Sequence, residues 1–287
     1  MSNTGMNAVL KSALDKYIQD MEQHMDRDIL AVFGPITYGM EQRTRDAITD
    51  IHGPSRRNGL AVILDTPGGV VEVVERMVNV IRHFYEDVRF IIPDRAMSAG
   101  TIFAMSGDSI CMDYYSVLGP IDPQVVKDGK LVPALSYLVQ FERLIKKDLD
   151  GKLSSAEYAL LSKLDLAELH QYEQARELTM TLLRRWLSRY KFKNWDVTKT
   201  TGRPVTPEMR EDRARSIGEV LSDNERWNSH GRGISRETLE SDEIKLRIDN
   251  LDEDRHLQRL VREYHHCLMD WMATLNVSNL VQSRAYF

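Results

Sequence analysis

Apolar positions along this chain follow two different periods. In the first half they form short unbroken runs: DILAVFGPI (28–36), GLAVILDT (59–66), VRFIIP (88–93) and SICMD (109–113). Runs of strand length without polar alternation suit strands buried on both faces of a parallel sheet. Between them lie segments with helical spacing. QRTRDAITDIH (42–52) is one, ended by Gly53-Pro54. VVEVVERMVNVIRHFYE (70–86) is another, with Val70, Val71, Val74, Met77, Val78 and Ile81 along one side. Strand and helix in alternation predict an α/β core with right-handed parallel crossovers.

The flanks read as helices. Val9, Leu10, Leu14, Tyr17, Ile18 and Met21 give residues 1–28 one apolar side, suited to packing on the domain or on a second subunit. From about residue 140 the pattern turns helical, with a break at Asp150-Gly151. Residues 191–214 read as a polar loop, 215–227 as a helix, and 228–235 as a glycine-punctuated turn in which Ser235 caps the next helix. A last amphipathic helix covers 254–275. The expected division is therefore an N-terminal helix (1–28), an α/β core (29–150), and a helical arm with C-terminal helices packing on that core (151–287).

Composition narrows the function. Of 287 residues, 42% are hydrophobic and 28% charged, enough to bury a sizeable core. The net charge of −5 favours neither nucleic acid nor an anionic membrane surface as partner. No apolar run approaches the roughly 20 residues of a membrane span, and the first residues lack a secretory pattern. With only Cys111 and Cys267, a reducing cytoplasm is the expected compartment. EYHHC (263–267) resembles a metal cluster, but adjacent residues on a helix point about 100° apart. No second cluster with zinc spacing accompanies it, so neither metal nor cofactor is expected.

Two turns carry candidate chemistry: DTPGG (65–69) and DRAMSAG (94–100). Each follows a buried strand, and open α/β sheets place their sites at the carboxyl ends of strands. Gly68 and Gly69 let backbone N–H groups face a ligand without a Cβ in the way. Ser98 opens a helix, either as its N-cap or as a nucleophile near the positive end of the helix dipole. A hydroxyl beside preorganised N–H donors is the equipment of acyl transfer. Phosphate-loop and dinucleotide fingerprints are absent.

LDTPGG, MSAG and VLGPIDPQ, taken in order, resemble the superfamily of the Clp protease proteolytic subunit and SppA-type signal peptide peptidases. Within it the serine dehydrogenase proteinase family is most similar, and the likeness extends to NERWNSHGRGIS and the last helix. The resemblance implies a crotonase/ClpP-like fold of repeated β-β-α units. It implies Ser98 as nucleophile and the N–H groups of Gly68, Gly69 and Ala99 as an oxyanion hole. It also implies a homo-oligomer acting on peptide or protein substrates, laid as extended chains beside a strand edge.

A serine needs a proton acceptor, and here the chain departs from the pattern. Asp122 stands where the Clp subunit has histidine, and His230 falls near that subunit's acidic member, as if the two supporting positions were exchanged. Lysine serves in SppA-type enzymes, and Lys127, Lys130, Lys146, Lys147 and Lys152 are available. His170 is a weaker base candidate. Tyr114 and Tyr115 read as core or wall residues. The expected function is a serine peptidase-like hydrolase working through an acyl-enzyme on Ser98. The alternatives are a catalytically silent scaffold that keeps the fold, and a crotonase-type thioester enzyme.

Overall fold

The structure, a computed structural model, describes residues 3–53, 56–121, 124–127, 130–198, 201–227, 229 and 231–287. Helix α1 (Asn3–Met25) leads into β1 (Arg27–Phe33), α2 (Met40–Ile51), β2 (Gly59–Asp65), α3 (Val71–Phe84) and β3 (Asp87–Ile92). Then come β4 (Arg95–Ala96), α4 (Ala99–Ala104), β5 (Ser109–Met112) and β6 (Val117–Leu118). A hairpin of β7 (Gln124–Lys127) and β8 (Lys130–Pro133) opens the arm formed by α5 (Ala134–Leu149), α6 (Ser155–Leu161) and α7 (Leu166–Trp186). After a π-helical turn at Leu187–Lys191 come α8 (Pro207–Leu221), α9 (Asn224–Trp227), β9 (Ile234–Ser235) and α10 (Arg236–Glu240). The chain ends with β10 (Asp249–Asn250), α11 (Arg255–Leu275) and β11 (Leu280–Gln282).

The main sheet has the order β10-β5-β3-β2-β1-β11. All its neighbours are parallel except β1 and β11. Strand periodicity assigns its two faces. Leu30, Val32, Leu60, Val62, Leu64, Phe90 and Ile92 point into the large core shared with α2, α3 and α4. Ile29, Ala31, Phe33, Ala61, Ile63 and Ile91 point the other way, where Leu14, Ile18 and Met21 of α1 meet Leu260, Val261, Tyr264 and Leu268 of α11. With both faces covered, an unbroken apolar strand is the stable choice. Helix α1 thus packs on the domain itself, although Val9 near its start stays exposed.

One boundary and one burial reading differ from expectation. Residues 207–214, read as loop, are helix: α8 begins at Pro207, whose missing N–H costs nothing at a first helical position. Thr206 caps it by accepting from Met209 N. Leu182, Leu183, Trp186, Ala214, Ile217 and Leu221 join the large core, so α7 and α8 are anchored to the sheet layer. Among the described residues the arm carries a small cluster of its own, Leu138, Leu169 and Tyr172. Tyr114 and Tyr115 are exposed rather than core, because β5 ends at Met112 and the following turn faces outward. Ser235 does cap α10, accepting from Thr238 N. Among the described residues no helix is long and apolar enough to cross a membrane.

Candidate active site

The two glycine-bearing turns meet because β4 pairs with the chain just beyond β2. Thr66 N donates to Arg95 O at 2.9 Å and Met97 N to Thr66 O at 3.0 Å. This short bridge holds DTPGG against DRAMSAG at the carboxyl edge of the sheet. Gly68 has φ 104° and Gly69 φ 150°. A Cβ on Gly69 would stand 2.1 Å from Ile36 O, and one on Gly68 would stand 2.8 Å from Met97 O and 3.0 Å from Ser98 Cβ. Only glycine lets the first turn come this close to the second. Gly68 N donates to Thr66 Oγ1 at 3.0 Å. Among the described residues, no acceptor takes the N–H of Gly69 or of Ala99.

Ser98 occupies the N-cap position of α4, but its side chain makes no capping bond. Its backbone is the unusual feature, with φ 52° and ψ −116°, a conformation side chains with a Cβ avoid. Such strain costs on the order of 1–3 kcal/mol and persists only where the surroundings impose it, most often at functional sites. Here the surroundings are the Thr66 bridge before Ser98 and Thr101 after it. Thr101 Oγ1 stands 2.7 Å from Ala96 O, 2.8 Å from Gly119 O and 3.0 Å from Gly119 N. That hydroxyl ties the serine turn to the VLGPI segment, the third motif of the sequence. Ser98 itself is 5% exposed.

Asp122 and His230 lie outside the described residues. Lys127 and Lys130 are paired across the β7–β8 hairpin. On the arm, Lys147 is bonded to Glu157 at 2.5 Å and Lys152 stands 3.7 Å from Asp150, while His170 is exposed beside Glu173. These partners are surface carboxylates of the arm itself. Neither thiol is primed for nucleophilic work: burial pushes Cys111 up to about 12 and also raises Cys267.

Sequence reasoning missed a second cluster at the same sheet edge. Asp65, last in β2, meets His265 of α11, whose Nε2 lies 2.6 Å from Asp65 Oδ2. Asp94, first in the serine turn, joins them, and one ligand atom from each residue falls within 4.8 Å of the others. Burial, and then the charge of Asp65, raise the Asp94 carboxyl above its ordinary value. His266 points outward, so the divergence of adjacent helical residues holds. The partners of His265 come instead from strand ends, a convergence no local spacing could reveal.

A family model for ClpP-like SDH-type serine proteinases matches residues 41–218. The chain belongs to that family. The match contains Gly68, Gly69, Ser98, Ala99 and Asp122 and ends before His230. The ClpP-like α/β class follows from it, as does the assignment to a serine proteinase family. Two uncharacterized proteins of Methanocaldococcus jannaschii are similar over shorter stretches. One is 33% identical over 82 residues, covering 29% of this chain and 29% of that protein. The other is 35% identical over 92 residues, covering 32% and 30%. The chain thus spans about a third or less of the curated relatives it matches. Among solved structures, a mutant of the membrane-bound stomatin-specific protease 1510-N is similar at TM-score 0.42 and 13% identity, over 77% of this chain and 76% of that one.

Proposed function

We propose that this ClpP-like SDH-type serine proteinase cleaves peptide bonds through an acyl-enzyme on Ser98. The observation that carries the reading is the backbone of Ser98, held at φ 52° on a strand-to-helix turn and packed against Gly68. A serine presented on such a strained turn projects its hydroxyl away from the chain that supports it. Ser98 Oγ attacks the scissile carbonyl carbon while its proton passes to a base, and the carbonyl oxygen becomes an oxyanion. The N–H groups of Gly69 and Ala99 receive that charge, with the positive end of α4 behind them. Gly68, whose N–H is held by Thr66, serves by keeping the turn close to Ser98. Collapse of the tetrahedral intermediate expels the amine, which takes the proton back from the base. Water then releases the acyl group by the same route.

The base comes from the candidates that the resemblance nominates: His230 with Asp122 as its orienting acid, or a lysine of the β7–β8 hairpin. Peptidase assays on single variants separate them. Ser98→Ala lowers kcat at least about 10³-fold. Asp122→Asn, His230→Ala, Lys127→Met and Lys130→Met are then ranked by their loss, and a variant with wild-type kcat is struck from the list. Full activity in Ser98→Ala contradicts the whole reading. The protein acts as a homo-oligomer in this proposal, supported by the exposed Leu149, Tyr158, Leu160 and Leu166 of the arm. Light scattering that returns only the 33.1 kDa mass of one chain contradicts that part.

A further inference from the structure

We propose that Asp65, Asp94 and His265 bind one divalent transition-metal ion of the Zn²⁺ type, which fastens the glycine turn and the serine turn to the C-terminal helix. The proposal stands on this cluster alone and does not depend on Ser98 being the nucleophile.

The first support is the donor set. Two carboxylates and an imidazole are common ligands of zinc, and their metal bonds of about 2.0–2.2 Å place ligand atoms roughly 3–3.5 Å apart. The atoms here lie within 4.8 Å of one another, with the His265–Asp65 pair at 2.6 Å. Seating an ion opens that pair by less than an ångström, on the order of a small side-chain rotation, and draws Asp94 inward.

The second support is charge. The Asp65 and His265 side chains are only 8% and 14% exposed, so uncompensated charge there is costly. The 2.6 Å contact with His265 serves Asp65 and leaves the second carboxylate of the cluster. The Asp94 carboxylate has no hydrogen-bond donor or ion-pair partner among the described residues. Arg262, three residues before His265 on α11, is already committed, because it donates through Nε and Nη2 to Asp113 Oδ2. Arg95, next to Asp94, is exposed. A dication with neutral imidazole satisfies both carboxylates at once.

The third support is position. Asp65 precedes Thr66, whose backbone bonds Arg95 and Met97, and the Asp94 carbonyl accepts from Val117 N at 2.9 Å. An ion held there joins the end of β2 and the turn after β3 to α11, through Asp65 and Asp94, which precede Thr66 and Arg95 of the bridge between the two turns.

The test uses the full chain, stripped with EDTA, dialysed and titrated with ZnCl₂ by isothermal calorimetry. The expected result is one Zn²⁺ per chain, with affinity at least about tenfold weaker in Asp94→Asn and in His265→Gln. Asp94→Asn removes no hydrogen bond seen in the fold, and its circular dichroism should match the wild type. Zn²⁺ should raise Tm in the wild type and leave Asp94→Asn unmoved. His24, Asp254 and His256 form a separate exposed group, with His24 Nε2 2.7 Å from Asp254 Oδ2 and 5.0 Å between the His24 and His256 rings. His256→Ala should therefore keep the full stoichiometry. Absence of binding in the wild type, unaltered affinity in Asp94→Asn, or loss of the bound ion in His256→Ala would each overturn the proposal.

Discussion

Ser98 concentrates the strain of the site in one backbone. Alanine at 98 removes the hydroxyl but keeps the Cβ, and so keeps the strain, whereas glycine removes both. Ser98→Gly should therefore be more stable than Ser98→Ala by about 1 kcal/mol, the relief of strain outweighing the entropy glycine loses on folding. Urea unfolding of the two variants checks this, and equal stabilities would mean that the turn is not strained in solution. Gly69 gives the complementary test. Gly69→Ala drives a Cβ onto Ile36 O at a positive φ, and should cost about 2 kcal/mol or more. A variant as stable as wild type would show that the turn relaxes more easily than its geometry implies.

Among the elements, two ion-pair systems hold the α1–β1 and β5–α11 junctions. Arg284, near the chain end, reaches Glu22 of α1 and Asp28 of β1, whose side chains are 2% and 0% exposed. Tyr85 Oη also donates to Asp28 at 2.7 Å. Removing one member leaves charge stranded in the interior, so Arg284→Met should cost about 3 kcal/mol, partly cushioned by Arg57 nearby. By contrast, Arg45→Ala, which breaks the exposed Arg45–Asp46 pair, should cost less than about 0.5 kcal/mol. Chemical denaturation of both variants decides it, and similar losses would contradict the burial argument.

The second system responds to pH with a definite sign. Burial works to raise the Asp113 carboxyl, but hydrogen bonds from Arg262, Tyr115 N and Ser116 prevail and hold it below its ordinary value. A carboxylate lowered by folding stabilises the protein above its unfolded pKa, and that contribution fades as pH falls through the folded value. The Tm gap between wild type and Arg262→Met should stay constant from neutral pH down to about 5 and close below the ordinary value of 3.8. A gap that widens in acid would reverse the assignment.

For the molecule as a whole, the parallel core was legible because both sheet faces are covered, leaving the strands as plain apolar runs. The two turns were legible too, since glycine pairs and a serine before a helix are local features. Thr66 and Thr101, which lock those turns together, were not, because a threonine beside a glycine turn has no distinctive spacing. The Asp65–His265 contact spans 200 residues and arises only when α11 folds back over β2. The start of α8 was readable in hindsight from Thr206-Pro207, but the polar stretch around it hid the capping signal.

The central claim is that Ser98 is the acyl-forming nucleophile. The most direct measurement is to treat the full chain with a fluorophosphonate probe and map the adduct by tandem mass spectrometry. The account predicts one adduct, on the peptide containing Ser98, absent from Ser98→Ala while that variant keeps the wild-type circular dichroism. An adduct on another residue, or equal labelling of the folded Ser98→Ala variant, would contradict it.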